Sequence, residues 1–355
     1  MSGDLELYDL TIIGGGPAGL YAAFYGGMRD MKTKLIEAKL ELGGRLLTYP
    51  EKMIWDVGGV TPIRCEQLIR QMVEQALTFE PTVAFGQQIK ELERLDDGTM
   101  ILTSDTGERH HTRTVLIAAG FGVANPNKLE LEGADRYEVS NLYYTVTSLE
   151  AFRGKHVLVS GGSDAAVDWA MELEPIAASV TLVHRRDRIG GHEVNVKYLL
   201  EQSSIRVMAP YVIAKLYGNA AGNAIESVSL APADENGRQT GGEQERIAFD
   251  AVIINHGYKG NLEDFKRWGV EFDDYRIRAF DKMATSLPGV FVAGDPASFA
   301  NKLNLIAGAI SDAAVAVNGA KKYLEPSAFG MAYVSSHNGI FNERNKALQA
   351  KEERA

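Results

Sequence analysis

The chain of 355 residues has one cysteine, Cys65, and no second thiol to pair with it. That excludes an internal disulfide framework and any C-x-x-C centre. Basic charge is also short: 37 lysines and arginines face 47 aspartates and glutamates, a net charge of −10. Such a chain is a poor partner for nucleic acid or an anionic membrane. No apolar run reaches the roughly 20 residues that span a bilayer, and residues 1–8 are polar and acidic, unlike a secretory signal. The expectation is a cytoplasmic protein with no nucleic acid and no membrane among its partners. What is present, 45% hydrophobic and 24% charged residues, is ordinary for a globular protein. The length favours two domains.

The chain is organised around residues 8–37. Leu10-Thr11-Ile12-Ile13 predicts a buried parallel strand. Gly14-Gly15-Gly16-Pro17-Ala18-Gly19 follows, a G-x-G-x-x-G, then a helical pattern over 20–28 and a strand over 33–36 that ends on Glu37. Gly14 permits the tight turn, Gly16 lets the backbone approach a pyrophosphate, and Gly19 lets the helix pack closely on the strand. The helix start at Pro17 and Ala18 offers unpaired N–H groups and a positive dipole end to phosphates. Glu37 stands where an acid accepts hydrogen bonds from a ribose 2′-OH. A glycine-rich turn alone is often only a turn. With the strand before, the helix after and the acid in place, this one predicts dinucleotide binding.

A loop with Gly43-Gly44, Arg45, Leu46, Tyr49 and Asp56 comes next. Paired glycines, an aromatic and an acid suit a flat ring that needs a stacking face and close backbone. Residues 62–79 read as an amphipathic helix with Cys65 in it, 89–103 as a hairpin around Asp97-Gly98, and 113–119 as a strand ending at Gly120. A second nucleotide unit opens with a strand over 156–160. Its turn, Gly161-Gly162-Ser163-Asp164-Ala165-Ala166, has lost the middle glycine. A helix over 167–173 and a strand over 180–183 follow, ending at His184-Arg185-Arg186.

The register between the two units is informative. Glu37 lies 23 residues after Gly14, and His184 lies 23 after Gly161. A carboxylate suits a free 2′-OH and repels a 2′-phosphate, whereas arginines bond phosphate bidentately. The first unit should therefore hold FAD or NAD and the second NADPH. Residues 195–202 read as a helix, and 207–216, 225–230 and 247–255 as strands. Leu287 to Asp295 is an apolar strand that delivers Asp295 just past Gly294, where it can bond a ribityl hydroxyl. A long helix over 303–323 follows, and the end from 344 reads as frayed.

The two units, the Ala118-Ala119-Gly120 strand end and the Gly294-Asp295 strand resemble the low-molecular-weight thioredoxin reductases. Tyr144 and Thr147 stand where that family's cysteines would be. The fuller pattern is similar to the thioredoxin-reductase-type ferredoxin–NADP⁺ reductases of bacteria. It is carried by 24–29, 42–44, Tyr49-Pro50-Glu51-Lys52, Ala166-Val167-Asp168-Trp169-Ala170, His184-Arg185-Arg186-Asp187 and Asn304-Leu305-Ile306. The resemblance implies an α/β fold of two Rossmann-like (three-layer ββα) nucleotide-binding domains. The FAD domain is then discontinuous, 1–122 and 285–355, around an NADP(H) domain at 123–284. It implies FAD contacts at Glu37, Gly44, Arg45, Leu46, Tyr49, Asp56, Ile89, Gly120, Ala124, Asp295, Ile306 and Ser336, with Tyr49 stacked on one flavin face. His337 from the partner of a homodimer would cover the other face, with Phe341 as second candidate. NADPH contacts fall on Gly161, Gly162, Ser163, Asp164, Ala165, His184, Arg185 and Arg186. In this chain Arg45 replaces a usual glutamine, and Ile189-Gly190-Gly191 stands where the family has a third arginine.

The implied activity is hydride transfer between NADPH and FAD, coupled to one-electron exchange with ferredoxin or flavodoxin. No side chain acts as catalytic acid or base; the flavin carries the chemistry. Docking an acidic ferredoxin calls for a local basic patch, with Arg29, Lys32, Lys34 and Lys302 as candidates. Two other readings stay open: a flavin-dependent NAD(P)H oxidoreductase acting on a small disulfide or quinone, and a non-catalytic flavin- or nucleotide-binding sensor.

Overall fold

Four parallel strands end along one sheet edge, and their register decides what emerges there. In a computed structural model that describes residues 5–122 and 125–352, Leu7–Ile13 pairs with Thr33–Glu37 on one side, Ile13 opposite Ile36. On its other side it pairs with Arg109–Ile117, Ile13 opposite Ile117. Val290–Val292 adds to Arg109–Ile117, with Phe291 opposite Leu116. The chain therefore leaves the sheet at Gly14, Glu37, Ala118 and Ala293 along the same edge. Thr82–Phe85 and the hairpin Ile89–Arg94/Met100–Ser104 complete seven strands. The helix Pro17–Met28 and the long helix Ile306–Leu324 pack on this sheet and on each other. The interior strands are apolar on both faces: Leu10, Ile12, Leu35, Leu116, Val290 and Val292 are all fully buried, the pattern of a covered parallel sheet.

This sheet belongs to the first of two compact units, formed by residues 1–47, 53–123 and 260–355. Residues 260–284, which the sequence assigned to the second domain, pack within it. The cause is ionic and polar: Asp264, nearly buried, meets Lys90 at 3.1 Å and also bonds Arg267 and Gln88. Trp268 donates its ring N–H to the Lys90 carbonyl at 3.0 Å.

The second unit comprises residues 48–52 and 124–259. Its core is a five-stranded parallel sheet in the order Leu142–Tyr143, Ala251–Ile254, His156–Ser160, Ser179–Val183, Arg206–Met208. Period-two alternation splits the core between faces. Val157 and Val159 pack with Val167, Trp169 and Leu173 of the helix Asp164–Leu173. Leu158 packs on the other face with residues of a three-stranded antiparallel sheet.

Two expected strands prove to be four. The 207–216 strand breaks at Pro210, which has no N–H for the ladder: Arg206–Met208 stays in the parallel sheet and Tyr211–Gly218 joins the antiparallel one. Likewise 247–255 divides into Glu245–Ala248 and Ala251–Ile254, one in each sheet. The end of the chain, expected to fray, contains a helix, Asn342–Glu352.

Candidate functional site

At the first glycine-rich turn, Gly14 and Gly19 answer steric demands within the protein, while a Cβ on Gly16 would make only ordinary contact, 3.7 Å from Gly44 Cα. A Cβ on Gly14 would stand 2.5 Å from the Ala118 carbonyl oxygen, and one on Gly19 only 1.8 Å from the Gly14 oxygen. Gly16 faces the backbone of Gly44, whose φ of +60° and close approach, 2.7 Å from a Gly44 Cβ to Gly16 Cα, admit glycine alone. No side chain caps the helix that starts at Pro17, so its first N–H groups remain for a ligand. Glu37 is buried and accepts the Gly15 N–H at 2.6 Å and the Lys39 N–H at 2.9 Å. It props the turn, and each carboxylate oxygen keeps a lone pair for a ribose hydroxyl.

The Gly294 turn comes to the same place. A Cβ on Gly294 would lie 3.1 Å from Ala18 Cβ and 3.8 Å from Ala309 Cβ, so the first turns of both helices converge on it. The helix from Ile306 also has no side-chain cap. Asp295 is half-buried and makes no side-chain bond among the described residues. Behind it lies a buried ion pair that sequence reasoning missed. Asp312 accepts the Gly294 N–H at 3.1 Å and the Lys302 ammonium at 2.6 Å, and both side chains are under a tenth exposed. The signal was available: one acid on the Ala-rich face of a buried helix. Arg276 bonds Asn304 at 2.9 Å and lies over Phe121, with its Nε buried and unpartnered among the described residues.

The structure therefore gathers Gly14, Gly16, Pro17, Ala18, Gly19, Glu37, Gly44, Gly120, Asp295 and Ile306 at one sheet edge. Leu46 is buried beneath it, its carbonyl 3.5 Å from the Cys65 Sγ. Ile89 is buried two residues past Gln87, whose N–H bonds the Glu37 carbonyl at 3.2 Å. Arg45 and Asp56 are exposed. Ala124 lies outside the described residues. Tyr49 packs against the apolar cluster of the second unit around Val146, Phe152 and Trp169, where Lys52 also lies over Trp169 at 4.3 Å. Ser336 and His337 are exposed on a tail anchored to its own chain. Arg29 donates to the Phe329 carbonyl at 2.7 Å, Tyr25 accepts the Ala332 N–H at 3.2 Å, and Phe341 packs between Phe24 and Phe79.

The second turn repeats the first with a substitution. Ser163, in the middle position, is extended at φ −93°, ψ 171°, a conformation open to any residue, so losing the glycine introduces no strain. The glycines flanking it are required. A Cβ on Gly161 would meet the Asn255 oxygen at 2.5 Å, and one on Gly162 would meet the His184 ring at 2.2 Å. The helix from Asp164, with Ala165 in its first turn, has no side-chain cap. Asn255 leaves its amide nitrogen buried and unpartnered among the described residues. Burial holds the His184 imidazole below its ordinary range, and Arg186 and Arg185 push the same way. Desolvation, then Arg185 and His184, does so for His256. Burial is the main cause at both rings, and the arginines add to it.

The four cations proposed as a docking patch are otherwise engaged. Arg29 is buried against the tail, Lys32 pairs with Glu6 at 2.9 Å, Lys34 lies over the Tyr8 ring at 4.3 Å, and Lys302 is in its ion pair. Cys65 is fully buried, and burial pushes its thiol up to about 11.

The two cradles fit dinucleotides on their own geometry, with backbone approaches that a Cβ would fill and orphaned donors beside them. Comparison with known proteins agrees. Residues 8–320 match the pyridine nucleotide-disulphide oxidoreductase family. The chain is 51% identical to ferredoxin–NADP reductase 1 of Bacillus pumilus over 98% of this chain and 99% of that protein. It is 50% identical to ferredoxin–NADP reductase 1 of Shouchella clausii over 97% and 96%. The thioredoxin reductase of Lactococcus lactis superposes with a TM-score of 0.75 at 28% identity, covering 89% of this chain and 99% of that one. The chain therefore belongs to the pyridine nucleotide-disulphide oxidoreductase family, in its thioredoxin-reductase-type ferredoxin–NADP reductase branch.

Proposed function

We propose that this chain is an FAD-dependent ferredoxin–NADP⁺ reductase. One observation carries the reading: two nucleotide cradles of opposite charge, Glu37 at one and His184-Arg185-Arg186 at the other, in a chain whose single thiol is buried and held protonated. The first unit holds FAD through the Gly14–Gly19 turn, Glu37, Gly44 and Asp295, and the second holds NADP(H) through Gly161–Ala165 and His184–Arg186. FAD held there would supply hydride exchange with NADP(H) and one-electron exchange with the carrier protein. The chain's own residues bind and orient. Uncapped helix starts at Pro17 and Ile306 face negative charge, and Lys302 and Asp312 fix the turn that presents Asp295.

The carrier is ferredoxin or flavodoxin. The working form is a homodimer, in the cytoplasm. Tail geometry is compatible with the dimer: its anchors at Tyr25 and Arg29 lie about 13 and 20 Å along the helix from Gly16, and Ser336 and His337 are exposed beyond them. The tail also leaves Phe329, Met331, Tyr333 and Val334 more than half exposed. No helix among the described residues is long and apolar enough to cross a membrane.

Stopped-flow mixing with NADPH should bleach the flavin of purified protein. Turnover should then be faster with ferredoxin than with a small disulfide or a quinone. A flavin that NADPH leaves oxidised would overturn the enzyme reading, and a preference for the disulfide or quinone would overturn the assignment of the carrier.

A further inference from the structure

A loop far along the chain comes to rest on Arg185. The segment Asp234-Glu235-Asn236-Gly237-Arg238 is a tight turn at the end of the strand Ile225–Pro232. Asp234 holds it: its Oδ1 accepts the N–H groups of Asn236 at 3.0 Å and Arg238 at 2.8 Å, and its own N–H bonds the Arg238 carbonyl at 2.8 Å. Gly237 has φ +73°, and a Cβ there would stand 2.7 Å from Arg185 Cδ and 3.0 Å from its Cγ. The turn thus lies directly on the aliphatic stem of Arg185, a contact glycine allows. Its placement is fixed from below. Tyr211 donates to the His184 carbonyl at 2.8 Å and Ala233 to the Pro210 carbonyl at 2.9 Å, so one corner carries both the His184 strand end and the turn.

We propose that Arg238 is a specificity-determining residue that joins Arg185 and Arg186 in gripping the 2′-phosphate of NADPH. The proposal rests on the second unit being the NADPH site. Arg238 stands one residue past the contact with Arg185, within reach of the same volume. Its guanidinium, like those of Arg185 and Arg186, has no hydrogen-bond or ion-pair partner among the described residues. Asp234 has its Oδ1 committed to the turn, while Asp187 and Glu235 are exposed. Three arginines bearing on a dianionic phosphate make up for the sequence Ile189-Gly190-Gly191, which carries no cation. The turn also restricts the Arg185 stem before ligand arrives, which lowers the entropy lost on binding.

The experiment is Arg238→Ala in the full-length flavoprotein. It should raise the NADPH KM about three- to tenfold, as loss of one screened charge-assisted contact does, and leave the NADH KM unchanged. By calorimetry, binding of adenosine 2′,5′-bisphosphate should weaken by the same factor while ADP binding stays put. Arg238→Lys, which keeps charge and loses the fork, should fall between. Equal losses for both coenzymes, or no loss for either, overturn the role of Arg238. The Arg185→Ala/Arg186→Ala double variant separates that from failure of the site itself. It should cost NADPH roughly ten- to a hundredfold in KM at about 1.4 kcal/mol per decade; if it too leaves the coenzyme ratio unmoved, the second unit is not the NADPH site.

Discussion

Two buried polar residues set the chemistry of the first unit more than their surroundings suggest. Asp312 and Lys302 neutralise each other in the interior, and Asp312 also holds the Gly294 N–H. Replacing one partner strands the other charge, which costs roughly 3–5 kcal/mol. Asp312→Asn should therefore lower stability in urea by that order and loosen the Gly294-Asp295 turn, seen as a weaker FAD affinity by fluorescence titration. Lys302→Met with Asp312→Leu should restore most of the stability but not the affinity; full recovery of both would assign the pair to packing alone. His110 is a second case. Its Nε2 meets Gln87 at 2.7 Å and its Nδ1 meets Lys34 at 3.3 Å, a neutral imidazole between a donor and an acceptor. Burial first, then Lys34, takes it from 6.5 to about 4. A base with a depressed value contributes stability above its unfolded pKa and loses it as pH falls through the folded one. Stability should drop by roughly 3 kcal/mol between pH 6.5 and 4, and His110→Gln should flatten that limb of the urea-midpoint profile. An unchanged limb would place the acid transition elsewhere.

Among elements, the helix Pro17–Met28 serves two ends. Its start is uncapped and faces the cradle, while its last turn anchors the tail through Tyr25, Arg29 and Phe24. About 12 to 20 Å of helix separates the two functions, so they should be separable by truncation. Ending the chain at Val334 removes Phe341 from its place between Phe24 and Phe79 without touching Glu37 or Asp295. FAD should stay bound through Glu37 and Asp295. Flavin reduction by NADPH should change in rate, upward, because a covering ring no longer has to move. Identical stopped-flow traces would show that the tail covers nothing. The terminal helix Asn342–Glu352 is polar and carries no apolar stripe, so it leaves no periodic signal in the sequence.

At the scale of the whole molecule, the single thiol sets the chemistry apart from that of a dithiol reductase. Cys65 has no partner to oxidise and sits protonated under Leu46. Cys65→Ser should leave electron transfer to ferredoxin within about twofold of the unmodified chain; loss of turnover with FAD retained would reveal a thiol step. Local pattern determined much of this protein. The turns 14–19 and 161–166, the acid at 37 and the arginines at 185 and 186 were legible because cradle geometry depends on spacing within one strand–turn–helix unit. The apolar strands were legible because a sheet covered on both faces needs continuous burial. Other features lie between residues far apart in sequence, and no spacing announces them. Pro210 and residues 249–250 hand the chain from one sheet to another. Asp264 draws residues 260–284 into the first unit through Lys90. Lys302 and the Gly294 N–H converge on Asp312. Gly237 rests on the Arg185 stem because a shared corner at Pro210 supports both. Sequence fixed the local backbone conformations and charges; the tertiary structure decided which of those charges face each other, because burial and Coulomb energy depend on distance in space.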